Sequence, residues 1–375
     1  MTDLCLVHGG DLSEPSGGTD RVSAFAAGLA ARDRDIAVVV PRPSGSVPDR
    51  LAAVDIVPVD VGTRGVVDQP LRAVKLARTA RRVADKRGAR LQIEHATLAG
   101  AVGVLGVDFD VLDMHDLSFR SPLYGDLPFG NVVQRAIRRV EGRALAAAET
   151  VIVVSERMAD LVAAAWPVSR EAVTVIPNGY FPAVVDPYRD TDTVAGRVVF
   201  LGTLHPKVDP EALQRVAELP AVEECFVIGD GPRRAELDAL AAESDTLRMT
   251  GRLPDSEAFA LLASAAVAIN PQYGSDLQVA SSPVKLYYYA ALGRPMVLTE
   301  GPELVSTLAE AGAARVVEPG GAFAHCVDQL LSADRQRESM SRAARRTAAE
   351  TTWKRRVDRL AALQSNLCTP QHHRS

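Results

Sequence analysis

Lys207 and Lys285 are the residues of this chain best suited to hold an anion. Of 42 basic residues only five are lysine, namely Lys75, Lys86, Lys207, Lys285 and Lys354. Arginine is therefore the default cation, and two of the exceptions fall in motif-like segments, GTLHPK and SSPVK. The second segment opens SSPVKLYYYAALGRP, residues 281–295. Ser282 suits an N-cap, Pro283 the first helical position, and Gly293 with Pro295 the stop, which predicts a helix of about three turns. Val284, Tyr287 and Ala291, with Leu286 and Ala290 beside them, form an apolar stripe, while Lys285 and Tyr288 share another face. Such a start offers an anion free N–H groups, a partial positive charge and an ammonium, and phosphate is the anion this chemistry fits. The pattern equally describes a capped core helix with a solvated lysine, and the segment alone does not separate the two.

Glycines add to this set. Gly202, Gly229 with Gly231, and Gly251 each follow a β-branched run, where they allow close backbone approach to a ligand or simply a tight turn. Gly17 and Gly18 stand in a glycine-rich loop before an alanine-rich helix expected from about Thr19 to Ala31, again open to a ligand or to a plain surface loop. The GDG of residues 229–231 is not GxGxxG, which disfavours a dinucleotide dehydrogenase, and no GK[ST] follows Gly18, which excludes a P-loop.

The elements that must position these residues alternate between short strands and helices. Runs at 4–7, 36–40, 91–94, 110–114 and 150–155 read as strands. After the Asn178-Gly179 turn and a polar linker near 181–196 the pattern restarts at 198–202, 225–229, 247–251, 267–270, 296–299 and 314–317. This βαβ alternation, made twice, predicts an α/β protein of two doubly wound parallel sheets that bind ligands at the carboxyl ends of their strands, with a cleft between the halves. The expected boundaries are 1–185, 196–345, and a C-terminal helix at 346–366 returning to the first domain. A length of 375 residues with 47% hydrophobic composition supports two cores, and a net charge of −5, split evenly between the halves, argues against a nucleic-acid binder. Cys5, Cys225, Cys326 and Cys368 show neither metal-like nor paired spacing, which points to a reducing compartment. The N-terminus has no charged-then-apolar leader, and no run of about 18 apolar residues occurs, so the expectation is a cytoplasmic protein that does not span a bilayer.

The ordered series SGGTDRV, VIVVSERMADLV, VTVIPNGY, FLGTLHPKVD, VIGDGPRRAEL, TGRLPDSEAFALLASAAVAINP and SSPVKLYYYAALGRPMV resembles the glycosyltransferases of family 4 over about residues 4–360. The resemblance implies the GT-B architecture of two facing Rossmann-like domains. It also implies transfer of a sugar from a nucleotide-diphosphate donor to an acceptor with retention of configuration, no cofactor and no bound metal. The donor belongs to the C-terminal domain and the acceptor mainly to the N-terminal one. Departure of the diphosphate leaves negative charge that a metal-free site must meet with cations and helix N–H groups. Lys207 matches the family's phosphate lysine, and Ser282, Val284 and Lys285 at the helix start supply a second clamp. Gly229, Gly231 and Arg252 border the nucleoside. His115, in VLDMHDLS, takes the place of the family's donor-sugar histidine, and His95, in QIEHAT, is a second candidate for the cleft or a structural residue. Gly17, Gly18 and Arg21 match the loop that meets donor and acceptor.

Two positions depart from the family pattern. Its two glutamates eight residues apart read Ala280 and Tyr288 here; a tyrosine hydroxyl replaces one hydrogen bond to a ribose but cannot accept from both hydroxyls as a carboxylate does. The arginine usually following the first C-domain strand is Thr203. The principal expectation is a hexosyl transferase acting in cell-surface or glycoprotein glycan assembly, and the rival is a non-catalytic GT-B subunit without the ribose grip. A nucleotide-sugar epimerase of similar architecture would need cleft acids and bases that the sequence does not offer convincingly. Arg72, Lys75, Arg78, Arg81, Arg82, Lys86, Arg87 and Arg90 face a single acid, Asp85, in a helical stretch, and Arg135, Arg138, Arg139 and Arg143 follow. These runs fit either a solvated face or peripheral contact with anionic headgroups around a lipid-linked acceptor.

Overall fold

A computed structural model describes residues 3–62, 69–104, 106, 108–120, 129–274, 279–319 and 322–367. Cys368 lies outside them. The first half runs β1 (Leu4–Val7), α1 (Gly17–Ala30), β2 (Ile36–Pro41), β3 (Asp55–Val59), α2 (Gln69–Arg87), β4 (Arg90–Glu94), α3 (Ala96–Val104), β5 (Val111–Met114), α4 (Gly130–Ala147), β6 (Thr150–Val153), α5 (Glu156–Ala165) and β7 (Val173–Val175). The second half runs α6 (Pro182–Val185), β8 (Val194–Leu201), α7 (Pro210–Ala217), β9 (Glu224–Ile228), α8 (Arg234–Ala242), β10 (Leu247–Gly251), α9 (Asp255–Ala263), β11 (Ala265–Asn270), α10 (Val284–Ala291), β12 (Met296–Thr299), α11 (Glu303–Glu310), β13 (Ala314–Val317), α12 (Phe323–Leu331), α13 (Asp334–Ala349) and α14 (Trp353–Leu367).

The chain divides into two compact units, one of Met1–Asn178, Ala280–Ser282 and Trp353–Ser375, the other of Gly179–Val279 and Pro283–Thr352. The first holds a seven-stranded sheet ordered β3-β2-β1-β4-β5-β6-β7, and every pairing is parallel. Its central strands, LCLV, IAVVVP and TVIV, are buried along their whole length, as a sheet covered on both faces requires. β3 and β7 were not legible as strands: β3 carries Pro58 and β7 is three residues long. Both lie at sheet edges, where a proline's missing N–H costs least. The last helix, α14, packs on α1, with Trp353 edge-on to Phe25 at 6.0 Å between ring centroids and Arg32 paired with Asp358. Gly28 leaves the room, since a Cβ there would fall 2.6 Å from Val357.

The second unit holds six parallel strands ordered β10-β9-β8-β11-β12-β13. Two apolar cores lie on it, one built around the aromatic side of α10 with Phe259, the other around α7, α12 and Phe200. Each sheet reverses its winding once, between β1 and β4 in the first unit and between β8 and β11 in the second. Such a switch point opens a crevice at the carboxyl ends of the strands. Cys5 and Cys225 are buried thiols pushed up to about 12 by burial, and no described helix is long and apolar enough to cross a membrane.

Candidate functional site

In the second unit the switch point gathers the cations. Gly202 follows β8, Asn270 ends β11 and Lys285 sits in the first turn of α10. The Lys285 ammonium donates to Asn270 Oδ1 at 3.2 Å and stands 4.1 Å above the ring of Phe200. Burial, reinforced by the charge of Lys207, pushes the Lys285 ammonium down to about 7. Burial likewise lowers Lys207, and His205 is lowered first by burial and then by both lysines, so two ammonium groups and an imidazole that favours its neutral form share this corner. Among the described residues no carboxylate pairs with Lys207 or Lys285. The carbonyl of Lys207 accepts from Tyr273, which fixes the loop after β8. His205 and Asn270 were missed by sequence reading; the first stands inside the GTLHPK segment itself.

The strand-end glycines serve the packing of loops on one another. Gly202, Gly229 and Gly231 have φ of 134°, 143° and 155°. A Cβ on Gly229 would fall 2.0 Å from the Gly202 carbonyl oxygen, and one on Gly231 would fall 2.7 Å from that of Leu204. The close approach expected of a ligand is thus made by neighbouring backbone. Thr203 and Arg252 are exposed beside these loops, and Val284 is half-buried at the start of α10.

The start of α10 differs from the expectation in two ways. The helix begins at Val284 and has eight residues, with Pro283 at the N-cap and no side-chain cap. Ser282 does not cap it, because its Oγ accepts from the N–H of Asn178 at 3.1 Å while the Asn178 side-chain amide donates to the Ser282 carbonyl at 2.7 Å. Tyr288, the position expected at the ribose, has its ring packed within the second unit. It is 6% exposed, with its ring 4.8 Å from that of Phe259 and 6.3 Å from that of Tyr180. An aromatic core claims this side chain.

The first unit's switch point gathers histidines and carboxylates. His8 follows β1, Glu94 ends β4, His95 follows it, and Asp113, His115 and Asp116 lie at the end of β5. His8 Nδ1 and Glu94 Oε2 are 2.5 Å apart and buried. Arg21 is fully buried and forks onto both oxygens of Asp113 at 2.8 Å, with its remaining arm on the Ile176 carbonyl and Asn178. Arg21 is therefore corrected as a residue meeting donor or acceptor directly; it anchors Asp113. Burial would raise the Asp113 carboxyl, but Arg21 and His115 outweigh it and hold it well below the usual range. His115 Nε2 lies 3.6 Å from Asp113, and its ring stacks obliquely on His95 at 4.8 Å. Burial opposes charge on His95, but Asp116 at 3.7 Å, with Glu94 and Asp113 behind it, lifts the imidazole to about 9. His95 also holds a left-handed φ of 70°, a strain that folds retain where a side chain must be aimed.

Gly17 and Gly18 belong to the first turn of α1, which Ser16 caps by accepting from Thr19 at 3.0 Å, rather than to a loop. Gly18 lies between two imidazoles: a Cβ there would stand 3.3 Å from His8 and 3.9 Å from His115. Glu94, Asp113 and His115 bring one ligand atom each within 4.8 Å of one another. The guanidinium of Arg21 donates to both Asp113 oxygens.

Residues 16–179 match the family described as glycosyl transferase 4-like domain, and residues 195–333 that described as glycosyl transferases group 1. The chain belongs to glycosyltransferase family 4. A 2-deoxystreptamine glucosyltransferase of Streptomyces kanamyceticus is 30% identical over 181 residues, an alignment spanning 40% of this chain and 46% of that protein. Among solved structures, a sucrose-phosphate synthase of Thermosynechococcus elongatus superposes with a TM-score of 0.78 at 17% identity over 98% of this chain and 99% of its own. Anabaena HepE in complex with UDP and glucose gives 0.72 at 15% over 98% and 100%, and WaaG, a glycosyltransferase of lipopolysaccharide biosynthesis, 0.72 at 15% over 96% and 99%. These likenesses make the architecture of this family-4 chain GT-B.

Proposed function

We propose that this chain transfers a hexose from a nucleoside-diphosphate sugar to a glycan or lipid-linked acceptor, with retention of configuration and without a metal. One observation carries the reading: Lys207 and Lys285 share the second unit's switch point, no carboxylate among the described residues pairs with either, and Lys285 is held near 7 by burial and by its neighbour. A site so built lacks an anion, and a diphosphate supplies it with charge-assisted hydrogen bonds. Family resemblance assigns His115 to the donor sugar, and the known complexes of HepE with UDP and glucose make a uridine nucleotide the first donor to try. The test is a thermal-shift panel of nucleoside diphosphates and their sugars. Stabilisation by one of them that vanishes in Lys207→Ala and Lys285→Ala supports the donor site; a ligand at 100 times its Kd stabilises by about 2.7 kcal/mol.

The second reading is a non-catalytic GT-B subunit, favoured by Tyr288, whose place a family glutamate would fill but whose ring is committed to the core. Indifference to the whole panel favours this reading.

For the acceptor side we propose cytoplasmic, peripheral contact with anionic membrane. Phe129 and Val132, 83% and 61% exposed, stand at the start of α4 beside the exposed Arg135, Arg139 and Arg143. The α2 run is less basic than its arginines and lysines alone suggest, because Arg87 pairs with Asp35 and Asp55, and Arg81 with Asp85. Flotation with anionic liposomes at low salt tests this, and protein left wholly unbound would remove it.

A further inference from the structure

The loop after β5 carries His115 and Asp116 into the first unit's switch point, and its far end is held from another element. Ser118–Arg120 make a single 3-10 turn. Glu141, in the middle of α4, is 0% exposed, and its Oε1 accepts the N–H of Ser118 at 2.9 Å. The N–H of Phe119 also favours its ionised form. Oε2 is buried and has no hydrogen-bond partner among the described residues. On the apolar side, the Phe119 ring meets Trp166 edge-on at 5.3 Å. Gly142 allows Trp166 to lie close, since a Cβ there would fall 2.7 Å from the indole. The loop end is therefore clamped by an indole and by one carboxylate.

That carboxylate has no cation of its own. Among the described residues no ion pair involves Glu141. From the loop, Asp116 faces it with a like charge and is itself tied to His95. The helix α3 packed along α4 reads ATLAGAVGV and offers no ionisable group. Arg120 and Arg138 lie over the Phe119 ring, and Arg138 also donates to the Ala165 carbonyl. Burial, with Asp116 adding to it and the Ser118 and Phe119 amides opposing, pushes the Glu141 carboxyl up to about 7.

We propose that Glu141 is a positioning residue for the loop that bears His115 and Asp116, and that loss of its proton tightens its hold on the loop. As a carboxylate it accepts from both amides; as an acid it keeps one good acceptor and gains an O–H that must be satisfied elsewhere. The consequence for transfer rests on the reading of His115 given above, so the primary measurements need neither donor nor turnover. Amide resonances of Ser118 and Phe119 are followed from about pH 5.5 to 8.5 in the full-length protein and in Glu141→Gln. Both are expected to shift with one midpoint near 7 in the wild type and to stay flat in the variant; Asp116, at about 2, and His95, at about 9, titrate outside that midpoint. Flat wild-type amides, or an unchanged titration in Glu141→Gln, would overturn the proposal. Hydrogen exchange of the 115–120 backbone provides the second arm. At about pH 8, Glu141→Ala is expected to exchange roughly tenfold faster or more than wild type, with Glu141→Gln between the two because its amide oxygen still accepts from Ser118 but carries no charge. Equal rates in all three proteins overturn the positioning role. Should Glu141→Ala not fold, the Gln titration decides alone. Once turnover is measured, the wild-type rate should fall as pH drops below about 7, a limb absent from Glu141→Gln; its persistence in the variant counts against the proposal.

Discussion

The stem of Lys285 runs across Gly202, so closely that a Cβ on residue 202 would fall 2.7 Å from both Cε and Nζ. Gly202→Ala would push the ammonium aside and also force an L-residue into a φ of 134°. The expected result is a stability loss of about 1–3 kcal/mol in urea melts. Nucleoside-diphosphate affinity should fall roughly as far as in Lys285→Ala, tenfold or more by calorimetry. Wild-type affinity in Gly202→Ala would show that this lysine does not need its seat.

Lys285 also predicts a pH dependence. An anion favours the charged ammonium, so affinity for a nucleotide sugar should fall as pH rises through about 7, and binding there should take up a proton. Calorimetry in two buffers of different ionisation enthalpy measures that uptake. In the unliganded protein the sign is opposite. The folded state releases this proton near 7 and the unfolded chain near 10.5, so this group makes stability rise with pH across that window. Lys285→Met should flatten the rise.

Tyr288→Glu, which would restore the family residue, should not restore a ribose grip. The side chain is packed against Phe259 and Tyr180, so the carboxylate would be buried among rings. A cost of about 3 kcal/mol or more is expected in chemical denaturation, with no gain in nucleotide affinity. A tighter-binding and equally stable variant would mean that residue 288 reaches the ligand.

Arg21 and Asp113 form a buried pair with two hydrogen bonds of 2.8 Å. Removing either partner should cost about 3–5 kcal/mol, because it leaves one charge buried and unpaired. The double variant Arg21→Met/Asp113→Leu should recover part of that loss. Additive losses in the double-mutant cycle would contradict the pairing.

Two parallel α/β sheets could be anticipated because β-branched runs mark nearly every strand. All six strands of the second unit coincide with runs read from sequence, and the edge strands β3 and β7 escaped because one carries proline and the other is three residues long. The lysines could be picked out because they are rare in an arginine-rich chain. What sequence did not disclose is orientation. Helical spacing puts Lys285 and Tyr288 on one side, yet packing sends the first to Asn270 and the second into an aromatic core. Ser282 looked like a cap because local composition cannot register Asn178, which is 104 residues away and takes its hydroxyl. His8, Glu94 and Asp113 carry no local motif either, since their proximity comes from strand register, with Glu94 opposite Asp113.

The most direct measurement is titration of the purified protein with a nucleoside diphosphate and its sugars in buffer containing a chelator, with Lys207→Ala and Lys285→Ala alongside. Saturable binding that survives the chelator and weakens roughly tenfold or more in each variant is the predicted result. Absence of binding by every nucleotide, or binding that ignores both lysines, would contradict the account.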